Sequence, residues 1–344
     1  MFGLEPLPRS LEAALRDAKH EKERVRASAL ADLSRHAAAS DARAVDAILE
    51  ALRGDASPEV RAAAALALAD AGAKQAAGAA LQATSDADQR VRQMAFVALG
   101  ELSDGTDARV ASVVREALSD ASAAIRYQAM IAASALSLPF AETALLEGTR
   151  DPDEEVRHVS LRLLEERSAT DGPRIRPSSE VLDAALERLT DLALRVRVAA
   201  AVLLGHAADR RGVKVLVEAV ETLGGALDPQ DEQAAIVLAG ELALRGAVPG
   251  LARRAFRPFG RARDFAYDAR IALARMGAAR AASAIVRGLS AFTRDARTLA
   301  VVAAGRAHLG EALPLIEAMQ SDERRADPRA MRDAIAALRG SRTT

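Results

Sequence analysis

The sequence contains no cysteine and no tryptophan, and its 344 residues include only seven Phe and two Tyr. Without cysteine there is no disulfide framework and no thiolate metal site, and a reducing compartment suits the chain. Asparagine is also absent, so no N-glycosylation acceptor exists. Lysine occurs only at Lys19, Lys22, Lys74 and Lys214, leaving nearly all positive charge on Arg. No stretch approaches the roughly 18 uninterrupted apolar residues that a membrane span needs. The opening Met1-Phe2-Gly3-Leu4-Glu5-Pro6 lacks the basic region and long apolar run of a signal peptide, which sets a cytoplasmic expectation. The motifs of common chemistry are missing as well: no G-x-x-x-x-G-K-[ST], no G-x-G-x-x-G and no G-x-S-x-G. The five histidines, His20, His36, His158, His206 and His308, are scattered, without H-E-x-x-H or an i, i+4 pair. No catalytic group, metal site or cofactor is expected.

Alanine is present in abundance, at 83 positions of a chain that is 50% hydrophobic. A single large core is usually filled by Leu, Ile, Val and Phe. So much Ala implies helices packed closely through small side chains, in segments where Ala is also the best helix former. Net charge is -1, which marks neither a nucleic-acid binder nor a membrane-surface protein. Its distribution is uneven. Residues 1–170 carry 20 basic and 27 acidic side chains, and residues 171–344 carry 27 and 21. The two ends are electrostatically distinct.

A phrase recurs along the chain: a turn with Asp, a few polar residues, a Val-Arg pair, then an Ala-rich apolar run. It stands at Val25-Arg26, Val60-Arg61, Val91-Arg92, Ile125-Arg126, Val156-Arg157 and Val196-Arg197, and again at Met331-Arg332. Successive Arg spacings are 35, 31, 34, 31 and 40, and the remaining 135 residues to Arg332 fit four more units. Weaker phrases near Glu232, Ala269 and Arg297 fill that interval, each followed eight residues on by Gly240, Gly277 or Gly305. Arg92, Arg197 and Arg332 show the same offset to Gly100, Gly205 and Gly340. The spacing gives about ten units.

Each unit reads as two helices. In residues 41–72, Asp41 caps a first helix with Val45, Ile48, Leu49 and Leu52 at helical spacing, and Gly54 ends it. Ser57 as N-cap and Pro58 in the first turn open a second helix. Leu66, Leu68 and the Ala run are expected on its buried side, with Gly72 closing it. One hairpin cannot bury its apolar face alone; stacked neighbours can. An Asp also lies six residues before the Arg in five consecutive units: Asp55/Arg61, Asp86/Arg92, Asp120/Arg126, Asp151/Arg157 and Asp191/Arg197. This predicts a structural ladder, each Arg fork bonding Asp carboxylates and turn carbonyls of its own or the adjacent unit.

The phrase D-x-x-x-x-V-R-x-x-A, as in Asp86-Ala87-Asp88-Gln89-Arg90-Val91-Arg92-Gln93-Met94-Ala95, resembles HEAT repeats. Units of 31–35 residues resemble most the subgroup called PBS-lyase HEAT-like repeats. The resemblance implies an all-α fold, a right-handed α-α superhelix of about ten helical hairpins forming one solenoid over 1–344. Regular units are expected over about 8–205, irregular ones over 206–310 and a capping unit over 311–344. It implies no single function. Members include adaptors, phycobilin lyase subunits and, more distantly, DNA alkylation-repair glycosylases.

Departures from the repeat are where function is sought. The long interval before Arg197 holds a Pro-, Gly- and Ser-bearing loop, residues 167–179, with three arginines, Arg167, Arg174 and Arg176, against the single acid Asp171. It is a variable solvated insertion or a partner-contacting loop. Residues 251–270 concentrate Arg253, Arg254, Arg257, Arg261, Arg263 and Arg270 with Phe256, Phe259, Phe265 and Tyr267. Arg and aromatics are enriched at binding hot spots. The alternative is that the aromatics fill core space while the arginines snorkel. Arg253, Arg254, Phe256, Arg257, Phe259, Arg261, Arg263 and Tyr267 are the candidate partner-binding residues, with Tyr127, which follows a ladder Arg. The expected function is a non-catalytic scaffold or adaptor that takes a peptide or helix of another protein in its concave groove. A nucleic-acid-binding or DNA-repair role is disfavoured by the acidic first half and the lack of Trp and Lys. A phycobilin lyase-like role rests on the subgroup's name alone.

Overall fold

Helices built on alanine need tertiary support, and here they find it in pairs. The computed structural model describes residues 8–168, 176–222, 227–257 and 265–340, and every regular element among them is helical. The chain divides into two compact units, Met1–Leu164 and Glu165–Thr344. The first contains the hairpins α1 (Leu11–Asp17) and α2 (Glu23–Ala38), α3 (Ala42–Gly54) and α4 (Pro58–Asp70), α5 (Ala77–Ala83) and α6 (Gln89–Leu102), and α7 (Ala108–Ala117) and α8 (Ala123–Ala135). Then come α9 (Ala141–Gly148) and α10 (Glu154–Ser168), whose last turn passes into the second unit. That unit holds α11 (Ser179–Arg188) and α12 (Leu194–His206), α13 (Val213–Glu221) and α14 (Pro229–Glu241), and α15 (Val248–Phe256) and α16 (Ala266–Arg275). It ends with α17 (Ala279–Gly288) and α18 (Arg294–Arg306), and α19 (Leu313–Met319) and α20 (Pro328–Gly340). The ten pairs agree with the count from the Val-Arg spacing.

Local signals place the helix ends. Asp41, Asp88, Asp107, Ser178, Asp228 and Thr293 cap α3, α6, α7, α11, α14 and α18 through side-chain oxygens that accept backbone N–H groups. Ser57 departs from its expected role: its hydroxyl makes no cap bond and donates to Glu23 Oε2 at 2.6 Å, tying α4 to the preceding second helix. Seven of the second helices end on a residue with positive φ. Gly72 and Gly277 take that position after α4 and α16, but Ser40, Ser137, Ala208, Ala243 and His308 take it after α2, α8, α12, α14 and α18. The tertiary turn imposes the left-handed conformation even where a Cβ disfavours it.

Within each unit, consecutive second helices stack directly: α2, α4, α6 and α8 in the first, and α12, α14, α16, α18 and α20 in the second. Each unit has its own core. The first is built on Leu30, Leu33, Ile48, Leu68, Leu99 and Val114, and the second on Leu216, Ile236, Leu251, Ile285, Val301 and Ile316. Small residues set the spacing. A Cβ on Gly240 of α14 would sit 2.6 Å from the Ala272 Cα of α16, and one on Gly305 of α18 would sit 2.9 Å from the Ala334 Cα of α20. Of the glycines eight residues beyond the phrase, Gly240 and Gly305 thus permit close helix contact, whereas Gly277 and Gly340 have open space. At Gly100 the same construction leaves 3.7 Å to the Ala132 Cα, an ordinary contact. One burial expectation fails. Leu68 is fully buried but Leu66 is 41% exposed, on the side of α4 away from its core.

Candidate binding surface

The fourth residue of the second helix is Arg in six consecutive hairpins: Arg26, Arg61, Arg92, Arg126, Arg157 and Arg197. One nitrogen, Nη1, serves the Arg's own turn. Arg61 donates to the carbonyls of Asp55 at 2.9 Å and Ala56 at 3.3 Å, and Arg92, Arg126, Arg157 and Arg197 repeat this on their own turns. The rest of the fork crosses to the next hairpin. Arg26 reaches both Asp55 oxygens at 2.7 and 2.8 Å, Arg61 both Asp86 oxygens at 2.8 Å, and Arg126 both Asp151 oxygens at 2.7 Å. The six-residue Asp–Arg offset thus joins each Arg to its own Asp only through the main chain. At Asp55, Asp86 and Asp151 the carboxylate belongs to the preceding hairpin's Arg. Each Asp also accepts the N–H two residues on, from Ser57, Asp88, Ser122, Asp153 and Ala193 in turn, which fixes the turn it starts.

These contacts set the charge states. The Arg26 fork holds the Asp55 carboxyl below its usual range, and the Arg61 fork does the same to Asp86. At Asp151 burial pushes upward, but the Arg126 fork and the Asp153 N–H outweigh it and the net direction is down. Between Arg92 and Asp120 the carboxylate bond is missing. Arg92 donates only to the carbonyls of Asp86 and Ala87, and Asp120 only accepts from Ser122 N.

In the second unit the rungs change. Arg197 reaches Glu218 Oε1 at 2.9 Å in place of an Asp. The fourth position of α14 is Glu232, and the cation comes from the other side: Arg254 of α15 pairs with it and donates to the carbonyls of Val220 and Thr222. In α16 the fourth residue is Ala269, and its neighbour Arg270 donates to the Ala255 carbonyl at 3.0 Å. Arg297 of α18 keeps the two turn carbonyls, Ala291 and Phe292, and turns the remaining nitrogens to the carbonyls of Arg324 and Arg325.

This geometry corrects the reading of residues 251–270. Arg254 is 0% exposed and cannot meet a partner; a charge reversal there would test folding instead of binding. Arg253 is exposed but paired with Glu221. Phe256 is half-buried against the core with the Arg280 guanidinium 4.1 Å above its ring. Tyr267 is half-buried with Arg270 over it at 5.1 Å. Arg257 is exposed. Phe259, Arg261 and Arg263 lie outside the described residues, as do residues 169–175 of the loop 167–179. The described members are therefore mostly spent on packing, because α15 is short and its basic end faces the carbonyls that close α13.

The side of the second helices turned away from their cores offers a different set. Tyr127 is half-exposed and lines a shallow depression with Gln93, Gln128, Asp153 and Glu155 over Ala123 and Ala124. There Leu66 of α4 is exposed and Ile131 of α8 half-exposed, while Met94 and Val97 of α6 pack against the core and keep a half-exposed edge. The second unit exposes Leu299 at 51% and Val302 on α18. Sequence reasoning missed all of these except Tyr127. Their signal is register: Leu66, Val97, Ile131 and Val302 are each the ninth residue of their helix.

A sequence profile described as HEAT repeats matches residues 45–135 and 77–165. A comparison with curated protein sequences gives no match. Among solved structures the chain is similar to Escherichia coli YibA, at 18% identity and a TM-score of 0.53 over 78% of this chain and 93% of that one. It is also similar to the CpcE–CpcF complex of phycocyanin lyase from Nostoc sp. PCC7120, at 17% identity and a TM-score of 0.47 over 73% and 96%. Yeast importin-beta, Kap95p, gives 14% identity and a TM-score of 0.47 over 95% of this chain and 57% of that one. At 18% identity the likeness to YibA concerns the fold alone.

Proposed function

We propose that this chain, which is a HEAT-repeat protein, works in the cytoplasm as a non-catalytic scaffold that binds another protein along the concave face of its second helices. The observation that carries the reading is the exposure of Leu66 on α4 in the first unit and of Leu299 and Val302 on α18 in the second, in second helices whose other large apolar residues are buried. An apolar side chain left in water at a repeated register is a cost that binding recovers. A preformed surface also loses little ordering entropy on association. A protein partner suits the face better than nucleic acid, since Arg253, Arg254 and Arg270 are engaged with Glu221, with Glu232 and with the Ala255 carbonyl. The lack of cysteine suits a reducing compartment.

The test is affinity capture from native lysate with the parent and with the triple variant Leu66→Ser, Val97→Ser, Leu299→Ser. The parent is expected to retain specific proteins that the triple variant loses by about tenfold or more, with unchanged far-ultraviolet circular dichroism. Equal capture by both proteins would remove the second-helix face from consideration.

A further inference from the structure

We propose that the face of α4, α6 and α8 is a dock for a basic amphipathic helix of another protein, with its apolar side on Leu66, Met94, Val97 and Ile131 and a cationic side chain beside Tyr127. This rests on the scaffold reading above and gives its partner a chemistry.

The surface is built by three consecutive second helices that stack directly. On α6 the buried set is Val91, Ala95, Phe96 and Leu99, while Met94 and Val97, three residues apart, pack against the core and keep a half-exposed edge. On α8 the buried set is Ile125, Ala129, Met130 and Ala133, while Tyr127 and Ile131 stand four apart on the half-exposed side. Leu66 continues the row on α4. Packed helices lie about 9 Å apart, so three of them present apolar ridges across about 18 Å. A helix of about 12 residues, rising about 1.5 Å each, covers that distance with one face. This is the helix-in-groove mode of recognition, with anchors at i, i+3 or i+4, and i+7.

Charge selects the sign of the partner. The Tyr127 depression carries the carboxylates of Asp153 and Glu155 and the side-chain amides of Gln93 and Gln128 beside the aromatic ring. A guanidinium or ammonium group meets there a ring face and the Asp153 carboxylate, whose Oδ1 also accepts the Glu155 and Val156 N–H groups. At the opposite end of the same helices Asp70 and Glu101 are exposed with no ion pair among the described residues, and Glu59 is exposed at the start of α4. Arg90, on the first turn of α6, is a cation on the same rim. Residues 1–164 as a whole carry 19 basic and 25 acidic side chains. An acidic helix would bring like charges onto this rim and be rejected, whereas a basic one is steered to it. The apolar ridge then holds what the field attracts.

The experiment uses the full chain and three labelled 15-residue peptides read by fluorescence anisotropy. The peptides are a Leu/Lys amphipathic helix, its Leu/Glu counterpart, and a Lys/Ser peptide of equal charge without the apolar face. The Leu/Lys peptide is expected to bind at least about tenfold more tightly than either of the others, and more weakly as salt is raised. Tyr127→Ala and Val97→Ser should each weaken it about tenfold, and Glu101→Lys several-fold. Glu116→Lys, on the exposed side of the first helix α7, should leave it unchanged. Equal binding of the Leu/Glu or Lys/Ser peptide would overturn the proposal, as would equal weakening by Glu116→Lys, which would mean diffuse attraction to an acidic protein. Self-association abolished by Glu101→Lys in sedimentation velocity would also overturn it, by making a second copy the occupant. Failure of the peptides while the triple variant still loses captured proteins would sink this inference and leave the scaffold reading standing.

Discussion

The two compact units solve one problem with different chemistry. Every hairpin leaves turn carbonyls next to the second helix, and every hairpin must be tied to the next. In the first unit an Arg at the fourth helical position does both, with a following Asp as its partner at three of the rungs. In the second unit the carbonyl half survives at Arg197 and Arg297, while the carboxylate half is replaced by Glu218 or by main-chain oxygens. Where the Arg is lost, the rung inverts: Glu232 holds the anion and Arg254 comes from the next hairpin. Satisfying the turn carbonyls is thus the stricter demand, and the ion pair across hairpins is the interchangeable part.

That comparison can be broken experimentally, most forcefully at the inverted rung. Arg254→Met keeps the bulk of the side chain but strands Glu232 and the carbonyls of Val220 and Thr222. A loss of about 3–5 kcal/mol is expected, read by chemical denaturation, with faster hydrogen exchange confined to α13–α16. A cost smaller than that of Arg126→Ala would show that the inverted rung is solvated and expendable. Next in size is helix spacing. Gly240→Ala would place a Cβ 2.6 Å from the Ala272 backbone and should cost about 1–3 kcal/mol. Gly100→Ala has 3.7 Å of room and should be neutral or up to about 1 kcal/mol stabilising through helix propensity. Equal melting temperatures for the two variants would show that the stack relaxes freely.

The smallest effects belong to the part-buried ladder of the first unit. Arg126→Ala removes a bidentate pair and two carbonyl bonds and should cost about 1–2 kcal/mol. Arg92→Ala removes only carbonyl bonds and should cost less. The gap between the parent and Arg126→Ala should depend on pH with a definite sign. Asp151 is held below its ordinary value in the folded state, so the unfolded chain binds more protons as the medium acidifies. The rung's stabilisation is complete above the unfolded Asp value of about 3.9 and falls as pH drops through the lowered folded value. Thermal melts of the two proteins should converge as pH falls from about 4 down through the lowered folded value. A gap that stays constant over that window would show that the Asp151 carboxylate adds nothing.

Much of this was legible beforehand. The phrase spacing gave ten hairpins, and Glu232, Ala269 and Arg297 stand at the fourth position of α14, α16 and α18 although two of them are not Arg. Register outlives residue identity, because stacking fixes the period while the rung chemistry can vary. The partner-binding residues were less legible. Arg and aromatic density drew attention to residues 251–270, yet Arg254 is buried by groups 22 to 35 residues away in the chain. Leu66 was expected in the core because α4 is apolar nearly all round, so no contrast in its sequence says which side meets water. The first helices α3 and α7 carry that contrast, and there Val45, Ile48, Leu52, Val110 and Val114 are buried at helical spacing.

The sequence by itself determined the all-helical class, the hairpin period and the turn chemistry, because caps, Asp turns and Ala-rich runs act within a few residues of one another. Only the tertiary structure decided which Asp each Arg meets, which glycines carry a helix contact and which apolar side chains stay in water. Those outcomes depend on how one hairpin lies against the next, and contacts between groups some 25 to 35 residues apart are written in the stacking geometry, not in any local pattern.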